Sequence, residues 1–127
     1  MQRELNAFIL QYVDATNPHN FVNIQLPLLP NAVYWLNKSS SQGMAAIKTD
    51  FERTWSLLPD DVYGIENVKW LTIAPNSAAC IYAYTYEGTH QGKPLKGRRG
   101  TNVFVKQNGR WFIAHEHLLI PESADKK

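Results

Sequence analysis

The sequence is poor in cysteine, in long apolar runs and in net charge. Cys80 is the only cysteine among 127 residues, so an internal disulfide is impossible and no cysteine spacing of a zinc site is present. It lies in an apolar run with Ala78, Ala79 and Ile81, and we therefore interpret it as a buried hydrophobic side chain rather than a nucleophile. A lone cysteine is typical of proteins from a reducing cytoplasm, which is the location we expect.

Membrane and nucleic-acid partners are not expected. No apolar stretch approaches the length of a membrane-spanning helix, and the first residues lack the apolar core of a signal peptide. The net charge of +2 is too small to predict nucleic-acid binding. Acidic residues are missing from Gly88 to His115, but no aromatic residue lies between Lys93 and Arg99 to stack on bases. We interpret this basic stretch as a solvated hairpin face, with an anion-attracting rim as the alternative.

The first half of the chain is predicted to be mainly helical. Apolar residues recur at helical spacing from Leu5 to Val13, and a second short helix is predicted from His19 to Gln25. Ala32 to Leu36 indicates a short strand, and the serine-rich segment from Lys38 to Gly43 a polar loop. The spacing of Met44 to Leu58 predicts a third helix.

The second half is predicted to consist of strands. β-Branched and aromatic residues indicate four of them in succession, over residues 62–73, 78–90, 99–106 and 110–120. Asn108-Gly109 is a hairpin turn, and residues 121–127 form a polar tail. The order α-α-β-α-β-β-β-β predicts an α+β fold with an antiparallel sheet, as one domain over residues 1–127.

Three local motifs give the chain a family resemblance. They are Asp50-Phe51-Glu52-Arg53-Thr54-Trp55, Ser77-Ala78-Ala79-Cys80-Ile81-Tyr82, and the ending from Gly109-Arg110-Trp111 to His115-Glu116-His117. Together with the order of elements, they resemble the association domain of calcium/calmodulin-dependent protein kinase II and the small bacterial SnoaL-like proteins of the nuclear-transport-factor-2-like superfamily. The resemblance extends from about Glu4 to Pro121.

The resemblance implies a cone-shaped, cystatin-like fold in which a curved antiparallel sheet and the helices enclose a pocket for a small-molecule ligand. It also implies a homodimer formed through the sheet, and no cofactor. Some relatives are cyclases, isomerases, hydrolases or dehydratases and others have no known activity, so the fold alone does not fix the function.

The resemblance also suggests which strand face is concave. The positions that carry pocket arginines in the kinase domain fall on Thr85, Asn102 and Leu118, so that anion pocket is not retained here. Alternation along the strands then predicts the residues of the concave face, which are Ile81, Ala83, Thr85, Glu87, Arg98, Gly100, Asn102, Phe104, Phe112, Ala114 and Glu116. Ala83, Gly100 and Ala114 are small, as a cavity requires. Trp55 corresponds to a tryptophan at the lip of the kinase pocket.

Glu116 is the strongest candidate for acid/base chemistry. A carboxylate among Phe and Ala side chains loses hydration, which raises its pKa toward the range useful for proton transfer. Glu87 and Asp14 are weaker partners for it. The alternative is a structural ion pair with Arg98 or Arg110. The expected ligand-binding residues are Trp55, Thr85, Arg98, Asn102, Phe112, Tyr12 and Phe51.

His115 and His117 lie two apart and share the opposite strand face in this register. We predict that they belong to a dimer face whose other members are Tyr82, Tyr84 and Trp111. A slip of one residue would exchange the faces and place all five in the pocket instead. Two histidines do not make a metal site, and His90 as a third is remote, so we expect no metal.

Two functions follow from these assignments. The first is a domain that binds a small, mostly apolar organic ligand in the cone pocket, with acid/base chemistry of the isomerase, dehydratase or hydrolase kind. The second is a non-catalytic homo-oligomerisation module, like the kinase association domain.

Overall fold

The helices precede most of the strands, as the sequence predicts. The computed structural model describes residues 2–36, 39–57, 62–90 and 93–118, with the side chains of residues 36, 39, 57, 85–90 and 93–98 outside that description. The elements are α1 (Gln2–Thr16), α2 (Val22–Gln25), β1 (Leu28–Leu36), β2 (Ser39–Gln42), α3 (Met44–Leu57), β3 (Tyr63–Ala74), β4 (Ser77–His90), β5 (Lys93–Gln107) and β6 (Arg110–Leu118). In the described part of the chain, no helix is both long and apolar enough to cross a membrane.

The six strands form one curved sheet in the order β2-β1-β6-β5-β4-β3. Neighbours are antiparallel except for β1 and β6, which run parallel. The α+β cone predicted from the sequence is therefore confirmed, with a mixed rather than a wholly antiparallel sheet. The parallel pair joins the two halves of the chain, because β1 comes from the first half and lies beside the last strand, β6.

Several element boundaries differ from the prediction. The serine-rich segment predicted as a loop contains the edge strand β2, in which Ser41 pairs with Tyr34. β1 begins at Leu28 rather than Ala32, and α2 begins at Val22 rather than His19. β5 begins at Lys93 rather than Arg99. In each strand, pairing with a neighbour outweighs a weak local propensity for the extended conformation.

Helix α1 packs across one face of the sheet, which we call the inner face. Phe8 meets Phe104 of β5 edge-on, with ring centroids 5.8 Å apart. The indole nitrogen of Trp70 on β3 donates to Asn6, at 3.0 Å, and that of Trp111 on β6 donates to Glu4, at 3.3 Å. One helix thus contacts three strands, and the apolar core lies between it and the sheet.

A bulge in β6 decides which of its side chains face inward. Val103 of β5 pairs with His115, but the next residue, Phe104, pairs with Ile113, so Ala114 is an extra residue. Trp111 and Ile113 are buried before the bulge, and Glu116 and Leu118 after it. Strict alternation, which placed Phe112 inside and Trp111 outside, is therefore wrong for this half of the strand. The bulge reverses the phase of the alternation.

The faces of β4 are also opposite to the predicted ones. Tyr82 and Tyr84 are buried on the inner face, whereas Ile81 is 39% exposed. The predicted concave positions Ile81 and Ala83 therefore lie on the other side, which we call the outer face. Both alternating sets of this strand are apolar, so the sequence pattern could not tell them apart.

Gly100 of β5 allows the closest approach within the sheet. A Cβ atom at this position would lie 2.5 Å from the Tyr82 ring and 2.6 Å from a methyl group of Leu118. Both neighbours are buried and cannot move away freely. The absence of a side chain at Gly100 therefore lets Tyr82 lie over β5.

We expect Gly100→Ala to lower the free energy of unfolding by about 1–3 kcal/mol, because the added methyl group forces Tyr82 or Leu118 out of place. Urea denaturation would measure this change. Gly109→Asn is the matched control, because no atom lies within 4 Å of a Cβ there and Asn tolerates the positive φ of 79°. Equal stabilities of the Gly100→Ala variant and the natural chain would contradict the close approach.

Candidate functional site

The side chain of Glu116 lies at the centre of the inner face and is 1% exposed. Its Oε1 atom accepts a hydrogen bond from the Asn102 amide, at 3.1 Å. Its Oε2 atom accepts a longer one from the Tyr12 hydroxyl, at 3.4 Å. Both partners are neutral, so they give the buried carboxyl group hydrogen bonds but no ion pair.

Two further tyrosines extend this arrangement. Tyr82 donates to the Oδ1 atom of Asn102, at 2.7 Å, which fixes the amide with its nitrogen toward Glu116. The hydroxyls of Tyr12 and Tyr34 are 2.8 Å apart. When Tyr12 donates its one proton to Glu116, Tyr34 is the donor to Tyr12. We call Glu116, Asn102, Tyr12, Tyr34 and Tyr82 the Glu116 cluster.

Burial changes the acid/base properties of this cluster. Desolvation raises the pKa of Glu116 to about 7, although the hydrogen bonds from Asn102 and Tyr12 act in the opposite direction. Desolvation also raises the pKa of Tyr12, Tyr34 and Tyr82 well above the ordinary tyrosine value. At neutral pH the carboxyl group is therefore divided between its two protonation states, while the three tyrosines remain protonated hydrogen-bond donors.

A row of rings connects the cluster with the protein surface. The Phe51 ring centroid lies 5.7 Å from that of Tyr34 and 5.4 Å from that of Trp55. Trp55 stacks on His19 at 5.1 Å, with 11° between the ring planes. Tyr34 is fully buried, whereas Phe51, Trp55 and His19 are half-buried. We call His19, Trp55, Phe51 and Tyr34 the aromatic row.

Some of the expected ligand-binding residues meet in this region and others do not. Tyr12 and Asn102 contact Glu116 directly, and Phe51 and Trp55 belong to the aromatic row. Phe112 is on the outer face, where the Arg110 guanidinium lies 4.9 Å from its ring centroid. The side chains of Thr85 and Arg98, like that of Glu87, lie outside the described residues.

The sequence reasoning did not include Tyr34 or His19 in the site, and it gave Tyr82 a place in the pocket only as the alternative to the dimer face. Tyr34 lies in a short, ring-rich segment that could equally be core. Tyr82 was assigned to the wrong face. His19 has a positive φ of 60°, which no pattern in the sequence predicts. The alternative structural partner Arg110 covers Phe112 instead of reaching Glu116.

His115 and His117 lie on the outer face, on either side of Trp35. Their rings meet the Trp35 ring edge-on, with centroids 5.2 and 5.6 Å away. A ring nitrogen of His115 is 2.8 Å from the Val33 carbonyl oxygen. Across the described residues, no three His, Cys, Asp or Glu side chains are arranged to hold a metal ion. Tyr82, Tyr84 and Trp111, predicted for the same face, are on the inner face.

Two other features border the site. Cys80 is buried on the inner face, and desolvation raises the pKa of its thiol to about 12, so it remains protonated. A groove of about 430 Å³ follows α1 and is lined by Glu4, Ala7, Phe8, Gln11, Tyr12, Ala15, Asn23, Leu26, Pro27, Arg110 and Trp111. Of the Glu116 cluster, only Tyr12 lines this groove.

The comparisons with known proteins agree with this architecture. A family model described as a SnoaL-like domain matches residues 5–122. The chain belongs to the SnoaL-like domain family. The match covers nearly all the elements above, from Leu5 in α1 to beyond the end of β6. No curated protein matches the chain.

Solved structures of other proteins show the same fold. A candidate calcium/calmodulin-dependent protein kinase II association domain from Xanthomonas campestris is 20% identical, with 97% of this chain and 89% of that one covered and a TM-score of 0.76. A nuclear-transport-factor-2-like protein of unknown function from Pseudomonas putida is 18% identical, with 97% and 88% covered and a TM-score of 0.79. A candidate ketosteroid isomerase from Shewanella frigidimarina is 17% identical, with 88% and 91% covered and a TM-score of 0.73.

The raised pKa of Glu116 predicts an unusual dependence of stability on pH. The folded chain keeps a proton on Glu116 up to about pH 7, whereas the unfolded chain releases it near pH 4.5. The contribution of Glu116 to the free energy of unfolding is therefore largest below pH 4.5 and falls as the pH rises to about 7. The expected loss is about 3 kcal/mol. Urea denaturation between pH 4.5 and 8.5 measures it. Glu116→Gln, which cannot ionise, should lack this decline, and a decline that persists unchanged in the variant would assign it to other groups.

Proposed function

We propose that this SnoaL-like protein binds a small, mostly apolar organic ligand next to Glu116 and isomerises it by proton transfer. The observation that carries the proposal is the fully buried Glu116 carboxyl with a pKa of about 7, held by neutral donors. A group with a pKa near the working pH is suited both to take and to return a proton.

The geometry of the cluster supports this chemistry. Each carboxylate oxygen of Glu116 has more than one lone pair, so the bonds from Asn102 and Tyr12 leave capacity to accept a substrate proton. A C–H group next to a carbonyl would pass its proton to Glu116, and the electron pair would move to the carbonyl oxygen. Tyr12, kept protonated by its raised pKa, would turn its one hydroxyl proton from Glu116 to that oxygen, while Tyr34 still donates to Tyr12. In a substrate with a C=C bond at the β,γ position, Glu116 then returns the proton to the γ-carbon, the enolate re-forms the carbonyl, and the C=C bond moves to the α,β position.

The surroundings favour an apolar ligand. The aromatic row and the buried core residues next to it provide ring and aliphatic surface, while the polar groups are few and convergent. Dehydration and hydrolysis use the same kind of acid/base group and are the related reactions for this site. The candidate ketosteroid isomerase shares the fold at 17% identity, and its name gives the same class of reaction as the one proposed here.

Deuterium exchange tests the proposal without knowledge of the natural substrate. We expect the protein to catalyse exchange of the α-hydrogens of 2-tetralone, an apolar ketone, in D₂O, and the rate to rise with pH through about 7 as Glu116 loses its proton. Proton NMR would measure the rate.

Glu116→Gln should reduce that rate by about 10²- to 10⁴-fold because the proton acceptor is gone. His117→Gln, on the outer face, is the control and should leave it unchanged. Equal rates in the natural chain and the Glu116→Gln variant, for 2-tetralone and a panel of similar ketones, would refute the role of Glu116.

A second proposal concerns the outer face, which we propose as the contact between two copies of this chain. Cross-strand pairing aligns Trp35, His117, Thr101, Ile81 and Lys69 in one row across five strands. Trp35 is 46% exposed and Ile81 39%. A sheet face open to water is usually polar, whereas this row has one charged residue. A second copy supplies a matching surface by symmetry, as in the non-catalytic oligomerisation module.

We expect Trp35→Glu to convert a dimer to a monomer at micromolar concentration, because a charge would be buried in the contact. Light scattering after size exclusion measures the mass. Leu10→Glu is the control, since Leu10 is also an exposed apolar residue but lies on α1, and its substitution should leave the dimer intact. A natural chain that is monomeric at this concentration would end the proposal.

A further inference from the structure

The His19 side chain occupies an unusual place at the surface end of the aromatic row. Its ring lies flat on Trp55, 5.1 Å away, and Trp55 is followed inward by Phe51 and Tyr34. The hydroxyl of Tyr34 then meets that of Tyr12, which donates to Glu116. The rings change from half-buried at His19 to fully buried at Tyr34, so the row leads from the surface to the carboxyl group.

The turn that carries His19 is fixed on both sides. The Asn17 side chain donates to the Tyr63 carbonyl, at 3.1 Å, and accepts from the Tyr63 amide, at 2.7 Å. The Asn20 side chain accepts from the Val22 amide, at 3.1 Å. His19 itself has the left-handed φ of 60° that is unfavourable for a residue with a side chain. The backbone therefore presents the imidazole to Trp55.

We propose that His19 is a lid on the ring face of Trp55, and that a flat aromatic ligand enters by taking its place there. This inference rests on the proposed function, because it supplies the route and the shape of the ligand for the Glu116 site. A flat ring can stack on Trp55 as the imidazole does, whereas a saturated ring of the same size cannot lie equally close. The geometry thus makes flatness, in addition to apolar character, a requirement for the ligand.

Calorimetric titration with two probes of equal carbon skeleton tests this inference. The probes are 2-naphthol, which is flat, and decahydro-2-naphthol, which is saturated and puckered. We expect the natural chain to bind 2-naphthol more tightly. His19→Asn, which tolerates the left-handed backbone but has no ring, should tighten 2-naphthol binding by roughly two- to tenfold because no stack is displaced.

Two further variants make the test specific. His117→Ala also removes a histidine that contacts a tryptophan, Trp35, but on the outer face, and it should bind 2-naphthol like the natural chain. Trp55→Leu should abolish the preference for the flat probe. If that variant does not fold by circular dichroism, Trp55→Phe should show a reduced preference.

The outcomes separate this inference from the proposed function. Unchanged or weaker binding of 2-naphthol by His19→Asn would overturn the lid, as would failure of the natural chain to bind 2-naphthol at all. Equal exchange rates in the natural chain and Glu116→Gln, with His19→Asn still tightening 2-naphthol binding, would refute only the proton-transfer proposal.

Discussion

The burial of one carboxyl group is the constraint on which the rest of this structure depends. Glu116 is fully enclosed, and a charge in such a place is costly unless it is neutralised or hydrogen-bonded. The fold meets this cost in two ways. Asn102 and Tyr12 donate hydrogen bonds, and the raised pKa lets the group take up a proton near neutral pH. The same compromise that makes the carboxyl group tolerable in the core is the basis of the chemistry proposed for it.

The positions of the cluster explain features that are otherwise separate. The bulge at Ala114 brings Glu116 to the inner face although Trp111 and Ile113 are also inward. Gly100 leaves room for Tyr82, which orients Asn102. Helix α1 crosses three strands on the inner face and supplies Tyr12 as a donor to Glu116. Each device acts on a different element, and all of them converge on one side chain.

The fold was predictable from the sequence because its signals are strong and local. Helical spacing in α1 and α3, the Asn-Gly turn before β6 and the run of aromatic strands each determine an element. The motif around Glu116 was also sufficient to single out that residue as the acid/base candidate, on the inner face where the structure places it.

The side-chain orientations were less predictable, for identifiable physical reasons. In β4 both alternating sets are apolar, so the inward position of Tyr82 and Tyr84 depends on packing against α1 and β5 rather than on pattern. In β6 a single extra residue changes the phase, and a bulge has no reliable sequence signal here. The left-handed conformation of His19 and its stack on Trp55 arise from contacts between residues far apart in the chain.

The most direct measurement is the carbon-13 NMR titration of the Glu116 side-chain carboxyl, assigned by its absence in Glu116→Gln. The account predicts a midpoint near pH 7, because burial outweighs the hydrogen bonds from Asn102 and Tyr12. A midpoint near 4.5, the ordinary value for glutamate, would show a hydrated carboxylate and would contradict both the buried site and the chemistry proposed for it.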